Sequence, residues 1–391
     1  MAPASAPTST SASVFDAFAA VDDPRVDRSK RHRLLDILTI TLCGVLSGAD
    51  GWVDIVTFAH AKEPWLRSFL PLPNGIPSHD TFGRVFAALD PVQFQQGFFA
   101  WVQATTSQLP DLTDLDGLQH VALDGKTLRR SHDRTNGHGP LHLVSAWASA
   151  NRLVLGQVAV ETKSNEIVAL PALIQLLDLT HCLTTIDAIG CQTAIAAAII
   201  EQGGEYALAL KGNQGTLHRE VAATFAHARA TGFAGITHDT FVTLEKGHGR
   251  IEERRWWTIS DPAYLAYLDP TGAWRKLRSI AMVERERTIG ETVTRETQYY
   301  LASVASARTV GRGVRLHWGV ENGLHWVLDI AFREDECRVR MGHAAQNLAM
   351  VRHPALNVLR QDTASKIGVK ARRLKAAWDT SYLACLLGQL N

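Results

Sequence analysis

The chain has 391 residues, a hydrophobic share of 46%, and 40 Lys+Arg against 39 Asp+Glu, for a formal net charge of +1. That length holds two or three domains with a sizeable core, and the composition excludes a fibrous or wholly disordered protein. Bulk charge announces no polyanion partner, so any nucleic-acid surface has to come from local clusters of basic residues.

Residues 1–16 are rich in Ala, Ser, Thr and Pro, with neither a basic start nor an apolar h-region, and read as a disordered leader. The most apolar run, Leu34 to Gly48, is interrupted by Asp36 and is too short to span a bilayer. The five cysteines (Cys43, Cys182, Cys191, Cys337, Cys385) are odd in number and lack CxxC spacing. They suggest reduced thiols in a cytosolic protein, and neither a zinc site nor a disulfide framework.

Residues 17–110 are predicted to form a helical N-terminal domain. Leu34 to Val45 is a buried helix ended by Gly48, Ser78-His79-Asp80 caps a helix over Thr81 to Leu89, and Phe94 to Gln103 is another. Residues 24–33, PRVDRSKRHR, are either a solvated basic face or a phosphate-contacting segment. A polar linker from Pro110 to Gly117 follows. The pattern then changes to HVALDGK, LHLVSAWAS and RLVLGQVAVE, three apolar strands arranged as a meander. An amphipathic helix with Pro171 in its first turn, a strand CLTTID ending at Asp187, a helix from Gln192 and a strand Tyr206 to Leu210 complete a βββαβαβ order. This order fits an α/β, RNase H-like mixed-sheet core better than a uniform doubly wound sheet.

Residues 212–308 alternate polar and β-branched residues, with a turn at Ile289-Gly290, and are expected to form a β-rich insertion. The core resumes over residues 309–355 with a helix from about Thr309 to Leu328. Residues 356–391 form a basic helical C-terminal segment. The first part of the core spans residues 111–211.

Asp124 ends an apolar strand, and an acid there needs solvent, a partner or a cation. A plain Asp-Gly turn is the bland alternative. Asp187 also ends a strand ahead of a helix, where α/β folds build their sites. Two ionised acids on adjacent strands, roughly 5 Å apart, repel each other unless a proton or a divalent cation lies between them. Glu321, on the helix that returns to the sheet, is the best third ligand. Oxygen-only ligands favour Mg²⁺ or Mn²⁺.

LDGKTLR, KSNEI (163–167), TIDAIGCQ, LKGNQ (210–214), EKGHGRIEERR (245–255) and HWGVENGLHWVLDIAFRED (317–335) stand in that order along the chain. Together these blocks resemble the DDE transposases of bacterial insertion sequences, in the branch of the H-repeat-associated proteins. CGVLSGADGW and GIPSHDTFGRVF extend the likeness into the helical domain. The resemblance implies an RNase H-like core with Asp124, Asp187 and Glu321 as catalytic metal ligands, and two Mg²⁺ ions, with Mn²⁺ as an alternative. It also implies metal-dependent cleavage and strand transfer of DNA at terminal inverted repeats, by a homodimer in a bacterial cytoplasm, associated with the nucleoid. A nuclease that does not transpose and a domesticated DNA-binding protein remain alternatives.

Expected DNA neighbours are Lys126, Arg129, Arg130, Lys211, Asn213, Gln214, His248, Arg250, Arg315 and His317. His325 and Asp329 are expected to support the acids from behind. Trp256 and Trp257 alternate faces on a strand, so one is expected in the core and the other is free to stack on an unpaired base. Related transposases with a β-insertion carry Tyr-x2-Arg-x3-Glu-x6-Lys around the glutamate. Here those positions hold Val314, His317, Glu321 and Leu328, so only the glutamate matches.

Overall fold

Asp124 owes its place to β1 (Gln119–Thr127), which pairs antiparallel with β2 (His142–Ala148), itself antiparallel to β3 (Leu153–Val160). The computed structural model describes residues 14–106, 115–132, 139–160, 166–247 and 249–388. β4 (Cys182–Ile186) runs parallel to β1, and β5 (Glu205–Leu210) parallel to β4. The meander extended by parallel βαβ units is therefore as read from the sequence. The crossover helices are α7 (Glu166–Gln175) and α8 (Thr193–Glu201). Pro171 lies in the middle of α7, not in its first turn. The apolar periodicity from Leu170 placed the helix start too late, because Glu166 to Ala169 precede it.

The insertion is not a separate sheet. β6 (His238–Gly247), β7 (Arg250–Ile259), β8 (Ser279–Ile289) and β9 (Thr292–Ala302) form an antiparallel ribbon, and β9 pairs with β5. One nine-stranded sheet results, in the order β3-β2-β1-β4-β5-β9-β8-β7-β6. Gly290 has φ +57° in the β8–β9 turn, as the hairpin geometry requires. The same stretch also contains the helices α9 (Gly215–Ala230) and α10 (Pro262–Leu268), which were not read from the sequence. α9 is polar overall, and Val221, Thr224, Phe225 and Ala228 mark its buried side.

The remaining helices are α1 (Val14–Ala19), α2 (Leu34–Leu46), α3 (Trp52–Ala61), α4 (Glu63–Leu66), α5 (His79–Ala88) and α6 (Pro91–Thr106) before the sheet. After it come α11 (Ala307–Val320), α12 (Trp326–Phe332), α13 (Ala344–Gln361), α14 (Val369–Trp378) and α15 (Thr380–Gly388). Ser78 Oγ caps α5, accepting from the Thr81 N–H at 3.3 Å. The helices of both chain ends share one core, with Leu38, Phe86, Leu348, Leu356 and Leu386 in a single buried cluster. Asn347 Nδ2 donates to the Phe86 and Leu89 carbonyls at 2.9 and 3.0 Å.

The basic character of the C-terminal segment is partly internal. Arg352 and Arg373 are buried, and Arg352 faces Glu334 at 3.4 Å while Arg373 faces Asp50 at 3.1 Å. Among the described residues, no helix is long and apolar enough to cross a membrane.

Two imidazoles make the fold sensitive to acid. Burial, with a smaller contribution from His317, pushes His120 down to about 3, and burial pushes His353 down to about 4 against the opposing charge of Glu334. Both are depressed from 6.5, so they are neutral in the fold and take up protons on unfolding. Stability is therefore fully present above about pH 6.5 and falls as pH drops toward 4, by up to about 2.7 kcal/mol per pH unit for two protons. Urea midpoints measured from pH 7.5 to 4.5 are expected to decline accordingly. A flat profile over that range would contradict the buried, neutral assignment.

Candidate active site

In the parallel register, Leu123 of β1 lies opposite Ile186 of β4, so the next residues, Asp124 and Asp187, come side by side. β4 ends there. β1 runs on to Thr127 beside β2, which places Asp124 within its strand and not at the end. The Asp187 carboxylate caps the turn that follows it, accepting from the Ile189 N–H at 3.1 Å. Asp124 Oδ1 accepts from the Gly125 N–H at 2.9 Å.

The glutamate arrives on α11, which lies directly on the sheet. A Cβ on Gly313 would stand 2.4 Å from Leu183 Cδ2, and one on Gly311 would stand 3.0 Å from the Trp256 ring. Past Val320 the helix widens into a π-turn, Glu321–His325, with the Trp326 N–H donating to the Glu321 carbonyl. Such turns recur at functional sites because they re-aim side chains without breaking the helix. This one is braced from beneath by Arg360, which donates to the Gly323 carbonyl and lies 4.7 Å over the Trp147 ring.

Ligand atoms of Asp124, Glu321 and His325 all lie within 4.8 Å of one another. His325 was expected behind the acids and instead stands among them, its Nε2 3.3 Å from Asp124 Oδ2. Among the described residues, Asp187 is not part of this tight group. Asp124 acts on it through charge. Burial, then the charges of Asp124 and Glu166, raise the Asp187 carboxyl above its ordinary range. Burial alone would raise Asp124 as well, but the adjacent His325, then His317 and the Gly125 N–H, hold it below that range. Burial and like charge raise one carboxyl while the histidines hold the other ionised, and a shared proton or a divalent cation relieves the repulsion of such a pair. Divalent cations suit this donor set.

Glu166 was quoted in a sequence block but given no role. It is buried against His142, and the two occupy the space where a Cβ on Gly125 would fall. The acid in KSNEI was the available signal. His317 was expected at DNA. It bonds Thr185 Oγ1 at 3.0 Å, and that hydroxyl also meets His120 Nε2 at 2.8 Å, while His120 Nδ1 meets Ser149 Oγ at 2.7 Å. Polar residues in otherwise apolar strands, His120 and Thr185, were the clue to this buried chain.

The other predicted residues divide between surface and interior. Lys126 is turned inward, its Nζ 2.5 Å from Asp329 and 3.0 Å from Glu334. This corrects its expected place at a DNA backbone: carboxylates contributed from 203 and 208 residues away claim its ammonium. Asp329 therefore pairs with Lys126 next to the site. Asn213 and Gln214 donate to the carbonyls of Ala188 and Cys191 at 2.5 and 3.0 Å, bracing the turn after Asp187.

Lys211 is exposed, Arg129 lies 3.1 Å from Asp335 at the surface, and Arg315 lies 3.0 Å from Glu245. Arg250 is 3.6 Å from Glu252. Arg130 lines a groove of about 1720 Å³ with Arg84, Arg338 and Arg340, where the helical region meets the sheet. His248 lies outside the described residues. Trp256 is core, and Trp257, the expected stacking face, is covered by Arg229 at 4.7 Å.

Family models match nearly the whole of this frame. A model described as Transposase DDE domain covers residues 116–358, and one described as DDE_Tnp_1-associated covers residues 15–102. The chain belongs to the DDE transposases. It is 37% identical to the "H repeat-associated putative transposase YhhI" of Escherichia coli (strain K12), over 94% of this chain and 95% of that one. It is 38% identical to "Putative transposase YncI" of Escherichia coli O157:H7, over 97% and 95%. A protein of Xanthobacter autotrophicus, "Uncharacterized protein in dhlA 3'region", is 45% identical over 73% of this chain and 92% of that one. Membership fits the RNase H-like topology of the sheet and implies use of a divalent metal by this transposase.

Proposed function

We propose that this transposase cuts DNA at the ends of an insertion sequence and joins the freed 3′ ends to target DNA, using Asp124, Asp187 and Glu321 as the catalytic carboxylates. The observation that carries the reading is the pair Asp124 and Asp187, side by side on parallel strands, with Glu321 brought onto it by α11. These carboxylates would hold divalent cations, Mg²⁺ in this reading, which would supply activation of water or a DNA 3′-hydroxyl and charge stabilisation of the departing oxygen. The chain's own residues supply the geometry. Asp124 stays ionised, Asp187 is held by the turn that Asn213 and Gln214 brace, and Glu321 is fixed by the π-turn. Lys211, Arg129, Arg130, Arg250 and Arg315 take DNA phosphates, and a homodimer pairs the two terminal repeats. The helical region 17–110 adds DNA contacts along the arginine-lined groove.

A second reading, hydrolysis without joining, draws on one observation. Leu328 occupies the position of a phosphate-holding lysine in related enzymes, and it is a buried apolar residue here.

The deciding experiment incubates the protein with duplex DNA carrying the element's flanking repeats, Mg²⁺ and a target, beside Asp187→Ala. Wild type is expected to give both nicked and joined products, and the variant neither. Nicking without joining would favour the nuclease, and binding without cutting by wild type would remove both enzymatic readings.

A further inference from the structure

His325 has an environment that a supporting residue would not need. The residue is 4% exposed, and among the described residues neither nitrogen makes a well-aligned hydrogen bond. Beyond the charge contact with Asp124, the buried imidazole has unmet bonding capacity, and such groups in folded proteins call for a ligand or a chemical role. An orienting histidine would instead donate a well-directed hydrogen bond to its carboxylate. Nε2 stands 3.3 Å from Asp124 Oδ2 in a charge contact that is not well aligned, while Asp124 Oδ1 is occupied by the Gly125 N–H. The Glu321 carboxylate completes a set spaced within 4.8 Å.

We propose that His325 is itself a cation ligand, together with Asp124 and Glu321, so that the two cation positions of the centre are chemically unequal. The position at Asp124, Glu321 and His325 offers two oxygens and a nitrogen. The position between Asp124 and Asp187 offers carboxylate oxygens alone. Imidazole favours Mn²⁺ and the borderline transition ions, whereas Mg²⁺ prefers oxygen and retained water. The first position therefore selects Mn²⁺ over Mg²⁺, and the second accepts either. The proposal rests on the DDE reading for the use made of the ions, but binding itself requires no DNA.

The test uses full-length protein stripped with a chelator and given one equivalent of Mn²⁺ without DNA. Pulsed EPR is expected to show the ¹⁴N coupling of a directly bound imidazole in wild type, in Asp187→Asn and in His317→Gln, and to lose it in His325→Gln. Mn²⁺ affinity, read from the free-ion EPR signal, is expected to fall tenfold or more in His325→Gln. Mg²⁺ affinity, read by competition, should fall less than threefold.

Bound Mn²⁺ without ¹⁴N coupling in wild type would overturn the proposal, as would unchanged Mn²⁺ affinity in folded His325→Gln. Should that variant fail to fold by circular dichroism, the spectra of wild type, Asp187→Asn and His317→Gln decide alone. Coupling in a protein that cuts no DNA with either ion would leave the ligand assignment intact and sink the transposition reading. Mg²⁺-supported cutting without coupling would do the reverse.

Discussion

Replacing Asp124 with asparagine is expected to lower DNA cleavage by at least about 10³-fold while leaving the protein folded. Asparagine keeps the size of the side chain and an oxygen for the Gly125 N–H, but removes the charge that Asp187, Glu321 and His325 converge on. With Asp124 neutral, one of the charges raising Asp187 disappears, so the Asp187 carboxyl should return toward its ordinary range. Folding stability should change little, since relief of the repulsion with Asp187 is offset by loss of the attraction to His325. Single-turnover nicking of a terminal-repeat duplex, with urea unfolding in parallel, measures both. Residual cleavage within tenfold of wild type would show that Asp124 is not a ligand. A cleavage loss accompanied by unfolding would assign it a packing role.

Lys126→Met is expected to cost about 3–5 kcal/mol of stability without changing the DNA affinity of the folded fraction. Its ammonium lies between Asp329 and Glu334, and Glu334 is only 1% exposed. Methionine would leave Glu334 buried with Arg352 at 3.4 Å as its remaining cation, and Asp329 without its own. Burial opposes the charge on Lys126, but Glu334 and Asp329 outweigh it and raise the ammonium above 10.5. Its stabilising contribution is therefore complete below about pH 10.5 and disappears only as pH climbs through the raised value. The variant should lose that alkaline limb of the stability profile. Adding Glu334→Gln should restore part of the loss, because the pair is coupled. A stability change under about 1 kcal/mol together with weaker binding in a gel-shift titration would return Lys126 to the DNA surface.

These two residues stand close in the sequence and differ in how far it could place them. Asp124 and Asp187 each end an apolar run, and strand patterning was enough to set them on neighbouring strands. The Ile289-Gly290 turn and the Ser78 cap were legible for the same reason, since their chemistry lies within a few residues. Lys126 was not, because its partners come from the far side of the insertion. Arg352 and Arg373 looked like a basic face for a similar reason: their acids, Glu334 and Asp50, lie outside any local window. The position of His325 depends on a π-turn, and nothing in helical periodicity distinguishes that from an ordinary turn. The joining of the insertion to the core sheet depends on the β5–β9 pairing, which strand propensity alone cannot assign.

The interlocking of the two chain ends sets a timetable for synthesis. Arg360 braces the turn carrying Glu321 and His325, Arg352 faces Glu334, and Arg373 donates to the Ala331 carbonyl, so the segment carrying Glu321 acquires these supports only when α13 and α14 have been made. Segments made first fold first, so the helical region and the β1–β5 strands wait, incomplete, for the last helices. A chain cut short by a premature stop between residues 322 and 344 has all three acids and none of these braces. On the proposed function, the nascent chain is thus expected to be inert, and a gene damaged in this way to yield a silent fragment in place of an unregulated nuclease.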